Sequence, residues 1–445
     1  MTVETRFYNT GDDRVNDSLI PVNSAPQTLA QKILARAAGK TSVAPGEIVV
    51  CRVDLALMHD SGGPRRVKPM LERLGAKVWD PDRIVLITDH YLPEHDDESR
   101  RILRTAREWA RETGVRRFYD GIGICHVVLP EMGHVRPGMF AVGGDSHSPT
   151  GGAFGAYLFG IGATEMLGVL VTGEIWVRVP QTLGIEWSGR LSEGTCAKDM
   201  MLAVCAKLGL DGGQYQALEY TGEAISALPM QERMTLCNMA PEVGAQTGLI
   251  APDEVTLGWL ESVGVVDVDP SPWHDDDGAP LGAHHRFDAS SLSPHVAAPH
   301  SPANSAPVEH HAGQRIDVAY IGACTGAKLE DLRMAAKVLK GRRAAGHVRL
   351  IVAPASRRDQ EIAEAEGTLG AILDAGASLL PNACGICAGY GENRLAENEV
   401  AITSTARNFK GRMGAASSQV YLASPYTVAA SAIAGRICDP REMLP

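Results

Sequence analysis

The stretch Tyr320-Ile-Gly-Ala-Cys-Thr-Gly-Ala-Lys-Leu-Glu-Asp-Leu-Arg333 decides how the rest of the sequence is interpreted. Its first residues belong to an apolar run, 316–321, that is typical of a buried strand, and its last residues are helix-like. Cys324 is therefore predicted to lie at the carboxyl end of a strand in a βα unit. Open α/β sheets bind their ligands at that edge.

Two more cysteines follow sixty residues later, in Pro381-Asn-Ala-Cys-Gly-Ile-Cys-Ala-Gly389. Cys384 and Cys387 come after a second short apolar run, 377–380, so all three thiolates are expected at one sheet edge. Three thiolates are one ligand short of a closed tetrahedral metal site, and such a site can bind substrate. The spacing alone leaves open a zinc site without an evident fourth ligand, thioredoxin-like redox chemistry, and ordinary buried thiols.

Composition excludes several classes of protein. A chain of 445 residues is too long for one core, and its 44% hydrophobic and 21% charged residues are typical of globular proteins. The net charge of -11 and the lack of a dense basic cluster argue against a nucleic-acid partner.

The compartment is predicted from the cysteines and the absence of targeting signals. The N-terminus is polar and acidic, unlike a signal peptide, so the nine cysteines are expected to be reduced thiols in the cytoplasm. One long apolar run, 153–171, contains Glu165 and several glycines. It is interpreted as a buried helix and not as a membrane span.

The order of apolar runs predicts an α/β protein. A helix is expected from Leu29 to about Gly39, strands at 47–54 and 84–88, and a helix at 98–113. This alternation implies mostly parallel sheets.

Composition shifts divide the chain into predicted domains. The predicted parts are an α/β domain at 1–180 that starts with a surface arm, a smaller α/β domain at 181–267, a linker rich in Pro, His, Ser and Ala at 268–313, and an α/β domain at 314–445. The histidines of the linker could bind metal but are interpreted as solvated.

Several further blocks accompany the cysteine motifs in a fixed order. They are Gly144-Asp-Ser-His-Ser-Pro-Thr-Gly-Gly-Ala-Phe-Gly155, Ser404-Thr-Ala-Arg-Asn-Phe-Lys-Gly-Arg412, Tyr421-Leu-Ala-Ser-Pro425 and Asp439-Pro-Arg441. Together these blocks resemble the aconitase superfamily, and more closely the large subunits of isopropylmalate dehydratase and homoaconitase. The resemblance runs from about Asp54 to Arg441.

The resemblance implies a fold, a cofactor and a reaction. The expected fold is three α/β domains with mostly parallel sheets around a central cleft, without the swivelling domain of aconitases. The three cysteines would hold a [4Fe–4S] cluster with one iron free of protein ligands, which acts as a Lewis acid. The chain would be the catalytic large subunit of a hydro-lyase that dehydrates and rehydrates a small hydroxy-dicarboxylate such as 3-isopropylmalate. A separate small subunit would complete the site.

The resemblance also assigns roles to individual residues. The expected catalytic residues are Asp89, His90, His126, Asp145, His147 and Glu242. The expected substrate-binding residues are Arg407, Arg412, His59 and Asp60. Carboxylates beside imidazoles fix the tautomer and raise the basicity of the ring, and guanidinium groups bind carboxylates bidentately.

Each of these residues has an ordinary alternative when taken alone. His126 would usually be a core residue, Asp145 a helix cap, and the two arginines solvated. Because they occur together with the cysteine pattern, a role in the site is favoured over these ordinary structural roles.

The sequence also departs from the family pattern. Gly326 and Ala406 stand where the family usually has asparagines near the iron site, and 58–66 differs from the isopropylmalate pattern. Maleate, citraconate, dimethylmalate and homoaconitate therefore remain candidate substrates. Two other hypotheses stay open: a non-catalytic or regulatory protein that keeps the fold, and a zinc protein that uses the same thiols.

Overall fold

The computed structural model describes residues 25–444. The predicted surface arm therefore falls almost wholly outside the described residues. The helices are α1 Leu29–Ala37, α2 Pro64–Leu74, α3 Asp97–Thr113, α4 Cys125–Glu131, α5 Ala163–Thr172, α6 Ala197–Leu208, α7 Glu223–Ser226, α8 Met230–Asn238, α9 Glu254–Ser262, α10 Leu329–Leu339, α11 Arg357–Ala365, α12 Thr368–Asp374 and α13 Pro425–Ala434. The strands are β1 Ile48–Arg52, β2 Leu55–His59, β3 Ile84–Thr88, β4 Arg117–Asp120, β5 Phe140–Gly143, β6 Tyr157–Gly160, β7 Glu174–Arg178, β8 Thr182–Ser188, β9 Ala217–Thr221, β10 Thr247–Leu249, β11 Ala283–Asp288, β12 His295–Ala297, β13 Ser305–Pro307, β14 Val318–Ile321, β15 Arg349–Val352, β16 Ser378–Leu379, β17 Val400–Thr403 and β18 Gln419–Ala423. Short 3-10 turns lie at Pro81–Arg83, Ser148–Phe154, Ala240–Val243, Ala289–Ser291, Val308–His310, Gly385–Ala388 and Pro440–Glu442.

The first sheet consists of five parallel strands in the order β4-β3-β2-β5-β6. The interior strand β3 is buried throughout, because both faces are covered by helices. Val85 and Ile87 pack into one core cluster with α4, while Ile84 and Leu86 pack into another with α3. The predicted strand at 84–88 and the predicted helices near Leu29 and 98–113 are confirmed.

The second and third sheets are also largely parallel. The second has the order β10-β9-β8-β11, with all of its pairs parallel. The third has the order β13-β12-β18-β17-β14-β15-β16, and it is parallel from β18 to β16. Strands β1 and β7 form a separate antiparallel ribbon. The predicted α/β class with mostly parallel sheets is confirmed.

Residues 268–313 are not the irregular linker that their composition suggested. They contribute β11 to an edge of the second sheet, and β12 and β13 to one side of the third. The backbone hydrogen bonds of these strands order a segment that has little apolar periodicity of its own. The domain boundaries themselves stay a prediction.

The apolar run 153–171 is also not a single helix. It contains strand β6 and then helix α5, which begins after Gly162. Both elements are apolar because β6 and one face of α5 pack into the core, so apolar content alone could not separate them. No helix among residues 25–444 has the length and hydropathy needed to cross a membrane.

Backbone hydrogen bonds join the first and third sheets where their carboxyl ends face each other. Ile124 N donates to Ala355 O over 2.8 Å, and Cys384 N donates to Asp89 O over 2.8 Å. Gly123 has φ +147°, and a Cβ there would lie 2.7 Å from Ser356 Cα, so only glycine allows this approach. The two ligand-binding edges are thereby held against each other.

Candidate active site

The predicted site residues come mainly from the carboxyl ends of parallel strands. His59 ends β2, the Asp89–His90 pair follows β3, and Asp145 follows β5 in the first sheet. Cys324 follows β14 and the 384–387 segment follows β16 in the third sheet. The second sheet contributes Glu242 through the turn after α8. The structure brings all thirteen predicted residues into one region between the sheets.

The three cysteines lie close together at the edge of the third sheet. All are free thiols and buried, and Cys384 and Cys387 pack against Ala323, which precedes Cys324. Ala323 has φ +69° and Gly385 has φ +48°. A non-glycine residue in the left-handed region stores strain, and such strain is concentrated at functional sites.

The local environment favours different charge states of the three thiols. Burial and the charge of Cys387 raise the pKa of Cys324 to about 12. A hydrogen bond with Cys384, together with the nearby Arg412, lowers the pKa of Cys387 to about 5. Asn238 Nδ2 donates to Cys324 Sγ over 3.2 Å. A guanidinium and an amide donor thus stabilise negative charge on sulfur.

The distances between the thiol sulfurs distinguish a single zinc ion from a larger iron–sulfur group. Tetrahedral zinc with Zn–S bonds of about 2.3 Å holds its sulfurs about 3.8 Å apart. Among the described residues, the sets whose ligand atoms all lie within 4.8 Å of one another consist of histidines and carboxylates, and the three thiols are not such a set. The three thiols as placed therefore do not form the compact set that a single zinc ion requires, and their donor chemistry fits a larger iron–sulfur group.

The first carboxylate–imidazole pair is Asp89 with His90. His90 Nδ1 lies 2.6 Å from Asp89 Oδ1, and Cys125 N donates to Asp89 Oδ2 over 2.8 Å. Burial opposes charge on His90, but Asp89, Asp60 and Asp145 outweigh it and raise the pKa of His90 to about 10. His90 is therefore held as an imidazolium at neutral pH.

His59 and Asp60 support this pair from the end of β2. The His59 ring stacks on His90 with centroids 4.3 Å apart, and its Nε2 lies 3.0 Å from Gly144 O. The Asp60 carboxylate accepts backbone N–H groups of residues 89, 90 and 91. Asp60 therefore orients the loop after β3, while His59 also lines the cavity described below.

The second network centres on Asp145. Its Oδ1 lies 2.8 Å from His126 Nε2 and accepts the backbone N–H of His147 over 2.8 Å. His147 Nε2 lies 3.1 Å from Glu242 Oε1, which also accepts a 2.7 Å hydrogen bond from Arg407 Nε. Burial raises the pKa of Glu242, but His147 and Arg407 outweigh it and lower the pKa overall.

A cavity of about 430 Å³ opens over these networks. Its polar lining includes His59, His90, Asp145, Ser146, Arg66, Arg407 and Arg412. Arg407 Nη1 donates to Ser146 Oγ over 2.7 Å, and Arg412 Nε donates to Cys387 O over 2.8 Å. His126, His147 and Glu242 stand behind Asp145 and Arg407 and do not themselves line the cavity.

Sequence reasoning missed four residues of this region. Arg66 lines the cavity from α2. Asn238 contacts Cys324, and Lys328 Nζ donates to Cys324 O over 3.0 Å. Lys198 Nζ donates to Thr325 Oγ1 and to two backbone carbonyls just before Arg407. The position of Lys198 and Asp199 directly before the apolar run 200–206 was the signal that could have indicated buried charges.

The surroundings of Gly326 and Ala406, the two departures from the family pattern, are buried and closely packed. A Cβ at Gly326 would lie 2.1 Å from Ser404 Cβ, so Ser404 fills the space that a side chain at 326 would need. Ser404 Oγ accepts from Gly322 N over 3.0 Å and contacts Gly326 O at 3.0 Å. Ala406 is buried. Neither position offers a side-chain donor to the thiols.

Comparisons with known proteins agree with the geometry. Residues 31–435 match the model of the aconitase family (aconitate hydratase). The chain is 45% identical over 419 residues to the 3-isopropylmalate dehydratase large subunit 1 of Methanopyrus kandleri, covering 94% of this chain and 100% of that one. It is 44% identical to the probable methanogen homoaconitase large subunit of Methanothermobacter thermautotrophicus, covering 93% and 97%. A solved structure, the holo-form of Thermococcus kodakaraensis aconitase X, has a TM-score of 0.49, 14% identity, and coverage of 81% and 84%, a likeness too distant to bear on function.

Proposed function

The chain belongs to the aconitase family, and we propose from that premise that it is the catalytic large subunit of an iron–sulfur hydro-lyase. The proposed reaction is the reversible dehydration of a small hydroxy-dicarboxylate such as 3-isopropylmalate or a related malate derivative. One observation carries this proposal. Three buried thiols, two carboxylate–imidazole networks and two arginines converge between the facing edges of two parallel sheets.

The cofactor that fits the thiols is a [4Fe–4S] cluster held by Cys324, Cys384 and Cys387. When bound, it supplies a Lewis acid that polarises the substrate C–OH bond. Asn238 and Arg412 stabilise the negative charge of the ligating sulfurs from the protein side.

Dehydration also requires a base that removes the proton from the carbon next to the C–OH group, and the small subunit would supply that base. The other roles fall to the side chains of this chain. Arg407 and Arg412 line the cavity and bind the two carboxylates of the substrate. Asp145, which His126 and His147 hold from behind, would orient the hydroxyl end of the substrate, and a proton from His126 would pass along the Asp145 hydrogen bond to the departing hydroxide, which leaves as water. His90 holds its proton through Asp89, so it donates a hydrogen bond to an oxyanion and does not act as a base at neutral pH.

A small swivel-domain subunit is the proposed partner, and a cytoplasmic location is part of the same proposal. Support for the partner comes from the relatives, whose names call them large subunits and whose length the chain covers almost fully. Support for the location comes from nine cysteines that are all free thiols in the described residues.

Arg66 favours a second candidate substrate with a third anionic group. It lines the cavity with Arg407 and Arg412, and it takes part in no ion pair among the described residues. Two guanidinium groups suffice for a dicarboxylate, so a third favours a tricarboxylate of the homoaconitate type. Ile161 and Met166 on the same wall would instead suit an alkyl group.

The test uses the full chain with its partner subunit under anaerobic conditions. We expect reconstitution to yield about four iron and four sulfide per chain, and the complex to hydrate an unsaturated diacid stereospecifically. The matched variant Cys384→Ser is expected to lose both iron and activity. Zinc without sulfide in the purified chain would favour the zinc hypothesis. An unaltered cellular phenotype of Cys384→Ser would favour the regulatory one.

A further inference from the structure

The hydroxyl of Tyr320 is a buried polar group without a partner. Tyr320 is 1% exposed, and its hydroxyl forms no hydrogen bond within the described residues. Two other buried tyrosines differ in this respect, because Tyr157 donates to Gln246 and Tyr220 donates to Leu236 O over 3.1 Å. An unpaired buried hydroxyl costs free energy, so a site that keeps one calls for an acceptor that the polypeptide does not supply.

Tyr320 lies beside both cysteine segments and also lines a cavity of about 360 Å³ with the 380–393 loop. Tyr320 lies on β14 and shares a core cluster with Ile386, which stands between Cys384 and Cys387. A Cβ at Gly322 would lie 2.3 Å from the Tyr320 hydroxyl, so the ring reaches over the chain two residues before Cys324. Burial raises the pKa of Tyr320, and charge on each of the three thiols raises it further.

We propose that Tyr320 donates a hydrogen bond to an inorganic sulfide of the cluster. This inference rests on the proposed function, since it requires the cluster. Thiolate and sulfide sulfurs are negatively charged acceptors, and hydrogen bonds to them are among the factors that set the reduction potential of an iron–sulfur cluster. A donor stabilises the more negative reduced cluster most, so Tyr320 raises the reduction potential and slows cluster loss.

The test compares the wild-type full chain with Tyr320→Phe, which removes only the hydroxyl. After anaerobic reconstitution, we expect the reduced-to-oxidised equilibrium to shift about threefold toward the oxidised cluster. That shift corresponds to a midpoint potential lower by roughly 30 mV at 59 mV per decade for one electron. Cluster loss to a chelator is expected to be at least threefold faster. The cluster-free variant should melt at or above the temperature of the cluster-free parent, because the deleted hydroxyl had no partner there.

Tyr220→Phe is the matched control. It removes a paired buried hydroxyl, so it should lower the melting temperature with and without cluster and leave the midpoint potential unchanged. An unchanged potential and chelation rate in Tyr320→Phe would overturn the inference alone. Equal destabilisation of its cluster-free and cluster-loaded forms would also overturn it by revealing a purely structural role. A wild-type chain that takes up no iron and sulfide would overturn the proposed function as well.

Discussion

At the scale of single residues, Asp145 is the point where the imidazoles of the site meet. Its Oδ1 lies 2.8 Å from His126 Nε2, and its Oδ2 lies 3.9 Å from His90 Nε2. Because one carboxylate orients several rings, the tautomers and the positions of those rings depend on it.

We predict that Asp145→Asn lowers kcat by about 10²- to 10⁴-fold, since the amide cannot stabilise an imidazolium or hold the same tautomers. Cluster content should stay close to wild type, because Asp145 is not a ligand of the proposed cluster. Steady-state kinetics with the partner subunit measure the effect. A kcat within tenfold of wild type would contradict the role given to Asp145.

Arg66 gives a prediction about specificity. We expect Arg66→Gln to lower kcat/KM for a tricarboxylate by roughly 10- to 100-fold, the loss of one charge-assisted bidentate pair. An alkyl-malate should be affected by less than threefold. Arg73→Gln, an exposed arginine at the end of the same helix α2, is the control. Equal losses on both substrates would instead indicate that Arg66 binds a carboxylate common to them.

Some residues of the site could be predicted from sequence motifs, and others could not. Motif order indicated Cys324 and the Asp145 block, because these residues stand in short strings of residues whose chemistry is specific. Arg66 and Lys198 have no such string around them. Their positions become informative only after α2 is placed at the cavity and α6 against the loops after β14 and β17.

At the scale of elements, a buried carboxyl joins α4 to α11. Glu131 ends α4 and accepts a 2.7 Å hydrogen bond from Ser356 Oγ, which also caps α11 by accepting from Asp359 N. Burial raises the pKa of Glu131 from its ordinary value of 4.5 to about 8, and the nearby Asp359 adds to the shift. The folded chain therefore binds more protons than the unfolded chain between these pH values, and stability falls as pH rises through that window.

We predict that Glu131→Gln flattens this part of the stability profile, because the amide keeps an oxygen for Ser356 but carries no ionisable proton. The variant should be more stable than the parent at pH 8, by on the order of 1–3 kcal/mol, with the difference shrinking toward pH 4.5. Chemical unfolding at several pH values measures it. Glu364→Gln, on an exposed face of α11, should change nothing. A Glu131→Gln variant less stable than the parent at pH 8 would contradict the assignment.

Elements with a clear period could be predicted from the sequence, and elements ordered by their neighbours could not. The run at 84–88 is continuous and bounded by turn residues, so β3 was evident. Strand β11 alternates charged and aromatic residues within a polar segment, and its pairing with β8 orders it. The prediction of a single helix at 153–171 was wrong because a strand and a helix are both apolar there. Their apolar content could not separate the two elements.

At the scale of the whole molecule, the proposed cofactor stands between two sheets. Its ligands lie on the third sheet, while the Cys384 N–H donates to Asp89 O on the first. A group that binds only the folded chain stabilises it by mass action.

We predict that anaerobic chelation of the reconstituted chain lowers its melting temperature by roughly 3–8 °C. Differential scanning calorimetry before and after chelation measures the change. Cys384→Ser, which lacks one ligand, should melt at the same temperature with and without chelator. The proposed structural contribution is contradicted if wild type and Cys384→Ser respond alike.

The facing strand edges have a consequence for biosynthesis. The acid–base groups at 59–147 leave the ribosome well before β18, which completes the parallel core of the third sheet about 270 residues later. A nascent chain therefore cannot enclose the proposed cofactor before β18 has been made. Iron and sulfide would consequently have to reach a chain whose first sheet is already synthesised.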